Sequence, residues 1–125
     1  MFELERFILA QNDPAAGFAT ALSELNAGRK YRHWIWYIFP QLSGLGRSPM
    51  AVRYGLNGVS EATAYLRHPV LRARLQEATA AANAQLTQHP SLTLDALMGS
   101  AIDAIKLVSS MTLFREVARR LASTE

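Results

Sequence analysis

Along most of this chain apolar residues return at spacings of three and four, the period that gathers them on one side of a helix. Phe2, Leu4, Phe7, Ile8 and Leu9 form the first such group, and Phe18, Leu22 and Leu25 the second. Between them, Asp13-Pro14 joins a good N-cap to a first-turn proline. The pair predicts that a second helix opens there and stops near Gly28. Ser48-Pro49 predicts another start, before MAVRY, and Ser60-Glu61 opens a helix that ends near His68-Pro69. Pro69 then fits the first turn of a helix through Leu71, Leu75, Ala78 and Ala82. Thr93 caps a short LDALM turn ended by Gly99, and Ser100 caps the last helix, AIDAIKLVSSMTLFREVARRL.

Only WIWYIF, residues 34–39, has the composition of a buried strand. A short apolar run of this kind fits a buried helix equally well. With no partner strand elsewhere it is assigned as helix, ended by Pro40. The resulting expectation is an all-α fold: a compact, irregular bundle of five to seven short helices forming a single domain over residues 1–125. From Ala101 to Phe114 the last helix is apolar on nearly every side, which predicts that it is buried.

Composition narrows the function classes. Half the residues are hydrophobic and 18% are charged, as in a globular domain. Cysteine is absent, which excludes disulfides, thiolate catalysis and cysteine-ligated metal centres. Glu3 and Glu5 precede any apolar run, unlike a signal peptide, and no apolar stretch approaches the ~20 residues of a membrane span. A soluble, cytoplasmic protein with no membrane partner is the expectation. The net charge of +3 is unevenly spread: between Arg29 and Arg74 the chain carries a net +7, with Glu61 the only acid. Such asymmetry favours an anionic partner, although a plain solvated basic face has the same signature. Nucleic acid ranks lowest among such partners, because no reader motif accompanies the charge.

Three stretches carry candidate chemistry. In HWIWYIFPQLSGLG, His33 and Gln41 stand at the two ends of the most apolar run. Trp34 and Trp36 are either core aromatics or a flat wall for a ligand ring. In the last helix Asp103, Lys106 and Ser110 share one face by their spacing, with Ser109 beside them. They form an ion pair with back-bonded hydroxyls or line a pocket. In SGLGRSP, Gly44 and Gly46 lead through Arg47 to the Ser48-Pro49 helix start. Loop N–H groups and the Arg47 charge would suit an anion, but a turn with a capping serine is the simpler reading, since the full phosphate-loop pattern is absent. The histidines lack metal spacing, and His68 and His89, each before a proline, read as turn or cap residues. No metal or cofactor site is expected.

Three long blocks, HWIWYIFPQLSGLGRSPMAVRYG, AYLRHPVLRARL and GSAIDAIKLVSSMTLF, resemble the signature blocks of a bacterial, all-helical domain family of unknown function. Its members often carry an automatic "calpastatin" label, for which nothing in this chain gives physical support. The resemblance runs from about Leu4 to Phe114. It implies that His33, Trp34, Trp36, Phe39, Pro40, Gln41, Gly44, Gly46, Ser48, Arg53 and Tyr54 are motif residues. Tyr65, His68, Pro69, Asp103, Lys106, Ser109, Ser110, Thr112 and Phe114 complete the set. It implies no activity. The resemblance implies that members usually continue past SSMTLF with a longer tail, so a pocket wall supplied by that tail would here be missing or replaced, for example by a partner subunit in a homo-oligomer. GSAIDAIKL is also one residue longer before Asp103 than the usual form.

Polar residues interleaved with tryptophans suit a small-molecule pocket. The expected site places His33 and Gln41 at its mouth, WIWYIF as floor and the Asp103–Lys106–Ser110 face as far wall. Arg53, Lys106 and the Gly44–Ser48 loop would hold an anionic or nucleotide-like ligand, with Trp34 or Trp36 packing its ring. If there is a reaction, His33 or Asp103 is the candidate base, His33 preferred for its ordinary pKa of about 6.5. The alternative is a non-catalytic interaction module whose polar motif residues form a structural network.

Overall fold

In the structure, a computed structural model, residues 2–124 are described. Eight helices follow one another among the described residues: α1 (Glu5–Gln11), α2 (Phe18–Asn26), α3 (Ile35–Ile38), α4 (Pro49–Tyr54), α5 (Gly58–Arg67), α6 (Pro69–Gln88), α7 (Leu94–Met98) and α8 (Ala101–Thr124). The fold is all-α, with one helix more than the upper end of the expected range. Each short start signal makes its own helix and none merge. Among the described residues there is no sheet, only an isolated parallel bridge between Leu42 and Leu56.

The cap signals explain most helix boundaries. The Ser48, Thr93 and Ser100 hydroxyls accept from the Ala51, Ala96 and Asp103 amides. His68 ends α5 and caps α6, its Nδ1 accepting from Leu71 N. Two expected starts move. Asp13 does not cap α2: its carboxylate accepts from Ala15 N in a local turn, and α2 begins at Phe18 after Gly17. α5 begins at Gly58, ahead of Ser60-Glu61, because Glu61 reaches back to the Asn57 amide at 2.7 Å.

WIWYIF is helical, but for a single turn. Trp34 and Phe39 flank α3, and Phe39, ahead of the proline, leaves the helical region at a ψ of 72°. Trp34, Ile35, Ile38 and Phe39 lie in the core, at most 2% exposed. Phe7, Tyr65 and Phe114 continue it, with Tyr65 between the other two rings at 5.1 and 5.2 Å. Around this core α2 packs on α6, and α8 packs on α5 and α7.

The expectation that α8 is buried on every side fails. Ala104, Leu107, Ser110, Phe114 and Val117 face the core, whereas Ile102, Ile105 and Val108 are 66%, 69% and 53% exposed. At 24 residues, α8 is ~36 Å long, and the helices packed on it, α5, α7 and α3, leave Ile102, Ile105 and Val108 uncovered. No helix among the described residues is long and apolar enough to cross a membrane.

Gly99 closes α7 at φ +82°, and a Cβ there would lie 2.8 Å from the Lys30 carbonyl oxygen. Gly99→Ala should therefore cost about 1–3 kcal/mol. A denaturant midpoint unchanged from wild type would refute the close approach of the α2–α3 loop to this corner.

Candidate functional site

Gln41 follows Pro40, and the chain pairs briefly with residue 56: Leu56 N donates to the Gln41 carbonyl and Ser43 N to the Leu56 carbonyl, each at 2.9 Å. This closes residues 41–56 into a loop that carries α4 and sets Gln41 beside Tyr54 and Gly55. Lys106 reaches the same place from α8. With Ile35, Trp36, Phe39 and Ala51 these residues line one small cavity. The centre of a water-sized sphere has only about 10 Å³ in which to move, room for roughly one water molecule or one ligand oxygen.

The polar atoms here are unevenly matched. The Lys106 ammonium stands 5.0 Å from the centroid of the Trp36 ring. The Trp36 indole N–H is buried with no hydrogen-bond partner, and so is the hydroxyl of Ser110, one turn beyond Lys106. Asp103 Oδ1 lies 3.7 Å from Lys106 Nζ, but its other oxygen is held at 2.8 Å by Lys30. The Lys30, Asp103 and Lys106 side chains are 4%, 17% and 23% exposed. Two ammonium groups thus share one carboxylate in a largely buried place, leaving one positive charge in surplus. Lys30 also lies 5.1 Å from the Trp34 ring centroid.

The structure therefore brings Trp36, Gln41, Lys106 and, through its ion pair, Asp103 into one neighbourhood. Other predicted residues do not join them. Trp34 is fully buried, its indole N–H donating to Glu24 at 2.9 Å, so it offers no face to a ligand. His33 is exposed and does not line the cavity; its carbonyl accepts from the Tyr37 hydroxyl. Arg53 is exposed and stacks on Tyr54, lining a different cleft with Arg6 and Leu9 on the far side of that ring. Ser109 is half-buried outside the cavity.

The glycine loop is a turn in this structure. Gly44, at φ +92°, Arg47 and Ser48 are exposed. A Cβ on Gly46 would lie 2.9 Å from that of Ala51, so this glycine permits a close approach. Little of the α4 N-terminus is left for an anion: Pro49 has no N–H, and Ala51 and Val52 donate to the side chain and carbonyl of Ser48.

Three buried polar groups were not foreseen from the sequence. Beside Lys30, the Glu24 carboxylate accepts from Tyr31 N, Arg32 N, the Trp34 indole and the Arg32 guanidinium, at 2.8 to 3.0 Å. Burial alone would raise its pKa, but the backbone amides, the indole and the guanidinium outweigh it and hold the carboxyl down at about 2. Gln11 donates to the Tyr37 carbonyl and the Tyr65 hydroxyl. Arg6 grips Glu61 with both terminal nitrogens and donates to the Arg53 and Gly55 carbonyls, tying α1 to the loop behind the cavity. Part of the basic stretch is engaged within the fold: Lys30 and Arg32 are ion-paired, Arg74 binds Gln11 and Asn12, and Arg29 stacks on Tyr31.

Comparison with known proteins places the chain in a family. The family model described as "Protein of unknown function (DUF1810)" matches residues 1–124. The crystal structure of the conserved hypothetical protein Rv1873 from Mycobacterium tuberculosis is similar at a TM-score of 0.82 and 46% identity, covering 93% of this chain and 77% of that one. No curated protein matches. With its whole described length inside the family model, this chain belongs to the DUF1810 family of proteins of unknown function.

Proposed function

We propose that this domain binds a small anionic group at the Trp36–Gln41–Lys106 cavity. One observation carries the reading: two ammonium groups share the single carboxylate of Asp103, and Lys106 stands over the Trp36 ring, whose indole N–H is unpaired. An anionic oxygen would satisfy both. The cavity admits about one such group, so the remainder of a ligand would lie outside it. That size, with Trp34 sealed in the core and Lys106 over Trp36, favours a carboxylate-sized anion over a nucleotide. Binding is favoured over catalysis, because both Asp103 oxygens face ammonium groups and His33 lies apart from the cavity.

Lys106→Met tests this. Lys30 keeps Asp103 paired at 2.8 Å, so the variant should lose no more than about 1 kcal/mol of stability or gain some. Acetate, malonate and inorganic phosphate would be titrated against melting temperature. A site-bound anion should stabilise the wild type by about 2.7 kcal/mol at a hundredfold excess over Kd. The variant should show no specific rise. Equal rises in both proteins would overturn the reading.

The second reading, a non-catalytic interaction module, draws on a different observation. Glu24, Lys30 and Asp103 act as internal braces, while α8 leaves a row of apolar side chains uncovered.

A further inference from the structure

Three glutamines are not exposed: Gln11, Gln41 and Gln85. Two of them use their amides inside the fold. Gln11 donates to the Tyr37 carbonyl and the Tyr65 hydroxyl, and Gln85 donates to the Asn26 carbonyl. The Gln41 amide has no hydrogen-bond partner among the described residues, although the residue is half-buried and lines the cavity with Trp36 and Lys106. Its root is nevertheless fixed. Pro40 precedes it, its carbonyl accepts from Leu56 N, and two residues later Ser43 N donates to the Leu56 carbonyl. A half-buried amide held at its root and left unused by the fold is matched to a group that arrives from outside. The Trp36 indole N–H, across the same cavity, is unused in the same way.

The polar groups divide by kind. The Lys106 ammonium and the Trp36 indole only donate, whereas an amide also accepts. Gln41 therefore offers a carbonyl oxygen for which an anionic oxygen has no use, and which calls for a donor on the ligand. An ammonium is a poor donor here, because Lys30 and Lys106 already share one carboxylate and would repel a third positive charge. A neutral hydroxyl meets the amide without that penalty, and can accept from the amide nitrogen or donate to its oxygen. The small volume requires the charged and the neutral group to lie close together on the ligand. We propose that the ligand is a small hydroxy-carboxylate, its carboxylate set at Lys106 and Trp36 and its hydroxyl bonded to the Gln41 amide. The proposal rests on the anion reading above and names the ligand class within it; Gln41 is the residue that selects the class.

Acetate, glycolate and glycine differ only at the second carbon, which carries hydrogen, hydroxyl or ammonium. Each would be titrated at neutral pH and constant ionic strength, with tryptophan fluorescence and melting temperature as readouts. The wild type should bind glycolate about tenfold more tightly than acetate, and glycine less tightly than acetate. Gln41→Met, close in volume and without the amide, should keep acetate binding and lose the preference for glycolate. Lys106→Met should lose the response to all three. The wild-type ratio is a test that depends on no variant's folding. Acetate bound through Lys106 with glycolate no tighter overturns the hydroxyl assignment and leaves the anion reading standing. Glycine bound as tightly as glycolate also overturns it. A glycolate preference that survives in Gln41→Met removes Gln41 from the role. Acetate binding equally to wild type and Lys106→Met would remove the anion reading itself, and the ligand class with it.

Discussion

Glu24→Ala is expected to cost about 3–5 kcal/mol, because it removes a buried charge and strands four donors at once. The residue is 7% exposed and holds Tyr31 N, Arg32 N, the Trp34 indole and the Arg32 guanidinium. Of these the indole and the two amides matter most. The Trp34 side chain is sealed in the core, and the amides belong to the loop that delivers Lys30 and α3 to the site. In a chain of this size the loss should lower the melting temperature by more than about 10 °C. Arg32→Ala should cost far less, since that side chain is 62% exposed and its ion pair is screened.

The same carboxylate gives a pH signature. Its folded pKa of about 2 lies below the ordinary 4.5, so its contribution is present in full above pH 4.5 and is lost as pH falls towards 2. The difference between those values corresponds to about 3 kcal/mol. Denaturant melts of wild type and variant should therefore differ widely at neutral pH and converge across that acid window. A gap that stays constant down to pH 2 would mean that Glu24 acts through packing rather than charge.

The sequence was most legible where one residue decides the local outcome. Ser48, Thr93 and Ser100 cap their helices, Gly99 ends α7, and Pro40 stops the Trp34–Phe39 run. Starts that depend on competing partners were misread: Asp13 satisfies its own turn, and Glu61 serves Asn57 and Arg6 from further along the helix. The site was half legible. Spacing gives the Asp103–Lys106 contact, which is local in the helix. It cannot give Lys30, which arrives from the α2–α3 loop through tertiary packing and takes the shorter contact. A signal for the internal braces was nevertheless present. Glu24 shares the buried face of α2 with Ala21 and Leu25, and Gln11 lies one turn after buried Phe7. A polar residue on an apolar face requires a partner. The apolar count of α8 misled because it recorded composition without asking how many faces its neighbours could cover.

Lys30→Met separates the structural charge of this network from the functional one. Lys30 is nearly sealed from solvent, bonds Asp103 at 2.8 Å and anchors its backbone N–H on the Leu97 carbonyl at 2.7 Å. Loss of its ammonium should cost about 2–4 kcal/mol, short of a fully orphaned carboxylate because Lys106 remains within reach of Asp103. The melting temperature should fall by roughly 10 °C, whereas Lys106→Met should leave it nearly unchanged. Removing both lysines should cost at least about 1 kcal/mol more than the sum of the single changes, because each can partly serve Asp103 when the other is gone. The anion response adds a sharper contrast. In Lys30→Met the surviving Lys106 is claimed entirely by Asp103, so no charge is in surplus. Stabilisation by acetate or malonate should then disappear although every residue lining the cavity is intact. A Lys30→Met protein that keeps the wild-type response would refute the surplus-charge argument. One that melts within about 1 kcal/mol of wild type would show that the 2.8 Å contact contributes little to the fold.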